Sequence, residues 1–182
     1  MSSLVFALLL ILPGLCAASK ASNSLLVESK KELFLSAPSF AVVGASDDET
    51  KFGTIVFKTM LEQGLDVVPI NPFVPESQGV PTLDSLADIA DPARTSISVV
   101  TQPAVTLQIL HQASTLGIFA VWLQPGAEDA TVLDFIASAN GTTSYIHSAA
   151  VVGRGPGTET TAPCNIVNTS APDVISTLVR RR

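Results

Sequence analysis

The sequence offers its clearest chemistry at a turn, Gly44-Ala45-Ser46, set directly after the aliphatic run Phe40-Ala41-Val42-Val43. A glycine at the end of a first strand lets backbone N–H groups come close to an anion. The helix that follows adds the positive end of its dipole. Ser46 offers a hydroxyl, and Lys51 is the local cation. Gly53 permits either close packing of helix on strand or a second close approach. These types at this spacing suit the phosphates of a small-molecule, nucleotide-type ligand. A βα turn can also carry Gly and Ser with no ligand at all, so the loop alone does not decide.

Three more loops of the same character follow predicted strands. They are Asn71-Pro72, the stretch Thr101-Gln102-Pro103 with Ala104 behind it, and Gln124-Pro125-Gly126. Ligands of parallel α/β sheets bind at the carboxyl ends of the strands. Four loops built from Gly, Pro and uncharged polar residues at those ends predict a backbone-lined cleft.

Other chemistries find little support. The dinucleotide fingerprint G-x-G-x-x-G is absent. The second strand ends in Ile70-Asn71-Pro72, where a nicotinamide enzyme carries a ribose-binding acid. No G-K-[ST] string supplies a Walker loop. His111 reads as a surface or packed helical residue, and His147, in the last strand, has no legible nucleophile or base beside it. Cys16 and Cys164 make no disulfide framework, and Cys164 reads as a small buried residue. Two histidines and a cysteine have no metal-ligand spacing. Trp122 is read as core, with an indole contact to ligand as the sharper alternative. No catalytic residue and no metal ligand is identified.

The elements that must position these loops alternate strictly. Strands are predicted at Phe40–Val43, Asp66–Ile70, Ser96–Val100, Ile118–Leu123 and within Ser144–Val152. Helices are predicted at Phe52–Gln63, Pro103–Leu116, Glu128–Ala139 and Asp173–Val179, with a short one at Thr82–Ile89 capped by Thr82. Strands at this spacing predict an α/β fold: a Rossmann-like, three-layer, doubly wound parallel sheet of about five strands with right-handed crossovers. Hydrophobic residues are 47% of the 182-residue chain and aromatic ones 5%, so Val, Ile, Leu and Ala fill the core, as sheets buried on both faces require. The expected organisation is an apolar extension or signal peptide at 1–18, a linker at 19–32 and one domain at 33–179.

A formal net charge of −6 and the lack of any basic stripe disfavour nucleic acid as a partner. The terminal Arg180-Arg181-Arg182 reads as a solvated tail. Leu4 to Leu12 is too short an apolar run for a stable membrane span but fits the core of a secretory signal, although no Lys or Arg precedes it. Sequons at Asn140 and Asn168 are compatible with export. A working signal would place the protein in the secretory pathway, and an uncleaved extension would leave it cytoplasmic.

Three stretches together resemble the CoA-binding-domain proteins, the small Rossmann-like family related to the nucleotide-binding domain of the succinyl-CoA synthetase α subunit. They are SFAVVGASDDETKFGTIVFKTMLEQGLDVVPINP, TSISVVTQPAVTLQIL and GIFAVWLQPGAED. The likeness runs from Phe34 to Val167 and is greatest to fungal-type members. It implies a Rossmann-like fold and a capacity to bind coenzyme A or an acyl-CoA. By that resemblance Gly44, Ala45 and Ser46 hold the phosphates, with Lys51 and Phe52 beside them. Asn71 and Pro72 border the adenosine side, Gln102, Pro103 and Ala104 the far rim, and Gln124, Pro125 and Gly126 close the cleft. Neither His111 nor His147 lies in a stretch like the synthetase's phosphorylated histidine, so binding rather than phosphoryl chemistry is implied. The apolar N-terminus is foreign to the family pattern and conflicts with an intracellular ligand.

Three readings follow. The first is a non-enzymatic or regulatory binder of coenzyme A or acyl-CoA. The second is an NAD(P)-dependent oxidoreductase-like protein with a degenerate site. The third is an interaction scaffold without ligand.

Overall fold

Aliphatic runs broken by Gly, Pro and Asn become strands, and the segments with a helical period become helices between them. The computed structural model describes residues 29–138 and the backbone of 144–146. Residues 29–35 are helical (α1), so helical structure begins inside the stretch read as linker. The parallel sheet is formed by β1 (Ser39–Val43), β2 (Val67–Ile70), β5 (Thr95–Val99), β6 (Ala120–Leu123) and β7 (Ser144–Ile146), in the order β2-β1-β5-β6-β7. The helices between them are α2 (Phe52–Glu62), α3 (Pro103–Leu116) and α4 (Ala130–Ser138). Segment 1–18, the sequons, His147, Cys164 and the predicted last helix lie outside the described residues.

β1 sits between β2 and β5, pairing Val42 with Pro69 on one side and with Ser98 on the other. The chain leaves β1 to one side through α2 and returns past it to reach β5, which makes the gap between β1 and β5 a topological switch point. Two cores flank the sheet. α1 and α2 cover one face, where Phe34, Phe40, Val42, Phe57 and Trp122 pack together. α3, α4 and the chain around Leu86 cover the other, with Ile97, Val99, Leu110, Val121 and Val132. Trp122 is a core residue, its ring edge-on to Phe34 at 5.4 Å.

The α3 boundaries fall as the sequence predicts. Pro103 occupies the first turn, and Gly117 ends the helix in the left-handed conformation at φ +69, its N–H on the Ala113 carbonyl. α4 begins two residues later than predicted because Asp129 accepts the Val132 N–H and acts as its cap. Pro69 is tolerated in β2 because its carbonyl faces outward, toward the Leu83 N–H, so its missing N–H costs no bond to β1.

Between β2 and β5 the structure departs from expectation. The helix predicted over Thr82–Ile89 is a single 3₁₀ turn, Leu86–Asp88. Its cap is Ser85, which accepts the Ala87 N–H while Asp88 receives the Ser85 N–H at 2.9 Å. Thr82 donates its hydroxyl to the Val74 carbonyl instead. A hairpin not expected from the sequence, β3 (Glu76–Ser77) with β4 (Val80–Pro81), turns through Gln78 at φ +51 and Gly79 at φ +75. Leu83 then makes one parallel bridge to Ile70, a remnant strand beside β2.

Candidate functional site

The candidate site is the carboxyl edge of the sheet around the switch point, and it is built from backbone first. β1 ends at Gly44, whose N–H donates to the Ile70 carbonyl at 2.9 Å while the Val100 N–H donates to the Val43 carbonyl at 2.9 Å. Gly44 lies at φ +94, and a Cβ on it would sit 2.4 Å from the Val100 carbonyl oxygen. Both facts demand glycine. Gly53, in the first turn of α2, has ordinary helical backbone, but its Cβ would fall 2.1 Å from the Gly44 oxygen. Of the two roles open to Gly53 in sequence, the structure selects close packing of the helix on the turn.

The next residues are braced rather than loose. Ala45 is fully buried, and its carbonyl accepts the Asn71 Nδ2–H at 2.6 Å. Ser46 is 4% exposed. Its N–H donates to Thr54 Oγ1 at 3.1 Å, and its carbonyl accepts both the Thr54 and Ser77 hydroxyls at 2.9 and 2.6 Å. The Ser46 hydroxyl donates to Asp47 and accepts the Asp48 N–H. Ser46 therefore shapes the turn, and its own donors are already engaged.

Donors for an anion come instead from α2. The helix opens after Lys51 with no side-chain cap and no acidic residue in its first turn. The Ile55 N–H is the one that reaches back to Lys51, so the N–H groups of Phe52, Gly53 and Thr54 carry the positive end of the helix dipole beside the Gly44 turn. Lys51 is exposed and Phe52 half-buried. Asp48 accepts the hydroxyl and the N–H of Thr50, at 2.7 and 2.9 Å, and this pair holds its carboxyl below its ordinary value of 3.8.

The other predicted residues line the same edge. Asn71 is half-buried, and Pro72 is exposed. Gln102 is exposed at the start of α3, Pro103 is half-buried and Ala104 is exposed. Gln124 is buried, its Nε2–H donating to Ser98 Oγ at 2.8 Å and its N–H to the Val99 carbonyl at 3.0 Å, so it ties β6 to β5. Pro125 and Gly126 are exposed, Gly126 at φ +90. His111 lies on the other core's side, eight residues along α3, its ring 4.5 Å from that of Phe135.

Residues that sequence reasoning missed are Thr54, Ser77 and Val100, all of which brace the turn. The signal for Ser77 was the tight Gln78-Gly79 turn, which a glycine marks but a glutamine obscures. Among the described residues no group of three or more His, Cys, Asp or Glu could hold a metal ion. No helix among them is long and apolar enough to cross a membrane.

Fold and turn together define a small Rossmann-like α/β domain with a glycine-pinned turn at its switch point. The chain belongs to the CoA binding domain family, whose model matches residues 38–157. It is 36% identical over 62 residues to the uncharacterised protein YneT of Bacillus subtilis, a match that spans 46% of that protein and 34% of this chain. A conserved hypothetical protein from Pyrococcus furiosus superimposes with a TM-score of 0.52 at 33% identity, over 59% of this chain and 91% of that one. A hypothetical protein from Pyrococcus horikoshii OT3 gives 0.59 at 27% identity, over 69% and 87%. These relatives are bacterial and archaeal. Membership supports a CoA-binding role in general terms.

Proposed function

We propose that this chain is a non-enzymatic binding protein for coenzyme A or an acyl-CoA, with a regulatory rather than catalytic output. The observation that carries this is the uncapped first turn of α2, held against Gly44 by the missing side chain of Gly53. The diphosphate lies over that turn, with Lys51 and Phe52 at its flank. Adenosine runs along the edge of Asn71 and Pro72. Pantetheine crosses toward Gln102, Pro103 and Ala104, and Gln124, Pro125 and Gly126 bound the far wall. The nicotinamide alternative is disfavoured by Asn71, whose amide is already committed to the fold. The reading is also supported by the Val68–Pro72 and Ala120–Gly126 strings, which in combination carry the likeness to the family.

A thermal-shift and calorimetric titration of the full chain tests the reading. Coenzyme A at 100 times its Kd stabilises by about 2.7 kcal/mol, which for a domain of this size raises Tm by roughly 5–11 °C. NADH and NADPH leave Tm in place. No shift and no heat with coenzyme A or acetyl-CoA would leave the scaffold reading standing.

A further inference from the structure

At the end of β2 the chain displays an aromatic ring that folding does not use. Phe73 is 91% exposed, whereas the next most exposed large apolar residues among the described ones, Ile55 and Val105, are 46% exposed. Burial of a phenylalanine is among the larger single contributions to folding, and Phe73 forgoes it. Its mount is nonetheless rigid. The Phe73 N–H donates to Asn71 Oδ1 at 3.0 Å, and the same amide donates through Nδ2 to the Ala45 carbonyl. Pro72, between them, restricts the backbone further. Phe73 and the phosphate turn are thus two hydrogen bonds apart through one side chain.

We infer that Phe73 is the stacking platform for the adenine ring of the bound nucleotide, an assignment that rests on the proposed coenzyme A site. With phosphates at the first turn, sugar and base extend along the carboxyl edge of the neighbouring strand, where dinucleotide folds place their ribose acid. Here that position is Asn71, a neutral amide that already donates to the Ala45 carbonyl and accepts the Phe73 N–H. What this edge presents to the ligand is therefore a π-face. An aromatic face takes a planar base at little entropic cost when its backbone is already fixed.

The test is calorimetry on the full chain with coenzyme A and with 4′-phosphopantetheine, which lacks the adenosine. Phe73→Ala weakens coenzyme A by about 5- to 30-fold, the lower part of the range for base–aromatic stacking, and leaves phosphopantetheine affinity and the unliganded Tm unchanged. Phe73→Trp keeps the coenzyme A affinity, and its indole fluorescence is quenched on binding. Equal coenzyme A affinity in Phe73→Ala and the parent overturns the stacking role alone. So does an equal loss for both ligands. A parent protein that does not bind coenzyme A overturns the proposed function, and the stacking role with it.

Discussion

Gly53→Ala sets two well-characterised effects against each other. In an unconstrained helix the change stabilises by about 0.5–1 kcal/mol, because alanine surrenders less backbone entropy than glycine. At this position the new methyl would lie 2.1 Å from the Gly44 oxygen, 2.8 Å from the Gly44 carbonyl carbon and 3.2 Å from the Ala45 nitrogen. All three atoms are backbone, and Gly44 is itself pinned against Val100. No side-chain rotation relieves the contact, so α2 must move by about 1 Å. Overpacking of a tight site costs about 1–3 kcal/mol, and backbone opponents place this one near the top. The clash wins, and the net loss is about 2 kcal/mol.

The assay is urea unfolding, read as a lower midpoint at unchanged slope, with a Tm drop of roughly 4–8 °C. Gly64→Ala is the control. Gly64 lies at φ +71 with nothing within 4 Å of a Cβ, so it loses about 1 kcal/mol to left-handed strain and nothing to packing. Gly53→Ala must lose more than Gly64→Ala. A neutral or stabilising Gly53→Ala would refute the close helix-on-turn contact on which the site geometry rests.

Two further perturbations read other parts of the edge. Asn71→Asp replaces the donor 2.6 Å from the Ala45 carbonyl with a carboxylate oxygen. It lowers stability by about 2 kcal/mol, the scale for stranding a buried acceptor, and does not confer NADH binding, as chemical unfolding and NADH fluorescence will show. Asp48 titrates by NMR below 3.8 because Thr50 holds its charged form; Thr50→Val moves the midpoint back toward that value. A depressed folded pKa makes this contribution fully present above 3.8 and lost as pH falls through the folded value, so loop order changes in acid and not near neutrality.

The alternation of strand and helix was legible because each element carries its own period and its own stop. Gly117 and Pro103 bracket α3 within the sequence itself. Strand order was not legible, since parallel strands declare no neighbours. The hairpin from Glu76 to Pro81 hid because it turns through a glutamine at positive φ and holds only two residues a side. At the site, Gly44 announced the turn, yet Val100, which makes glycine obligatory there, lies just past β5, more than fifty residues later. Ser46 reads in sequence as a phosphate donor. Its N–H goes to Thr54 because a buried donor takes the nearest acceptor, and that partner is visible only in three dimensions.

The bracing of the turn bears on what the site can do. Two hydroxyls converge on the Ser46 carbonyl, an amide holds that of Ala45, and two glycines let three backbone segments touch. A cradle fixed in this way meets its ordering cost during folding, so a ligand need not repeat it. The surrounding charge does not attract an anion: Asp47, Asp48 and Glu49 outnumber Lys51 on the loop, and Asp47 and Asp48 are held by donors of the loop itself. Under the proposed function, recognition of a diphosphate here depends on the aim of N–H groups more than on cations. An N–H cradle stabilises a phosphate already present and moves no proton. The described histidine, His111, packs its ring tilted against Phe135 on the other flank of the sheet, away from the Gly44 turn. Rigid amide donors at a helix N-terminus make a turn suited to holding an anionic group.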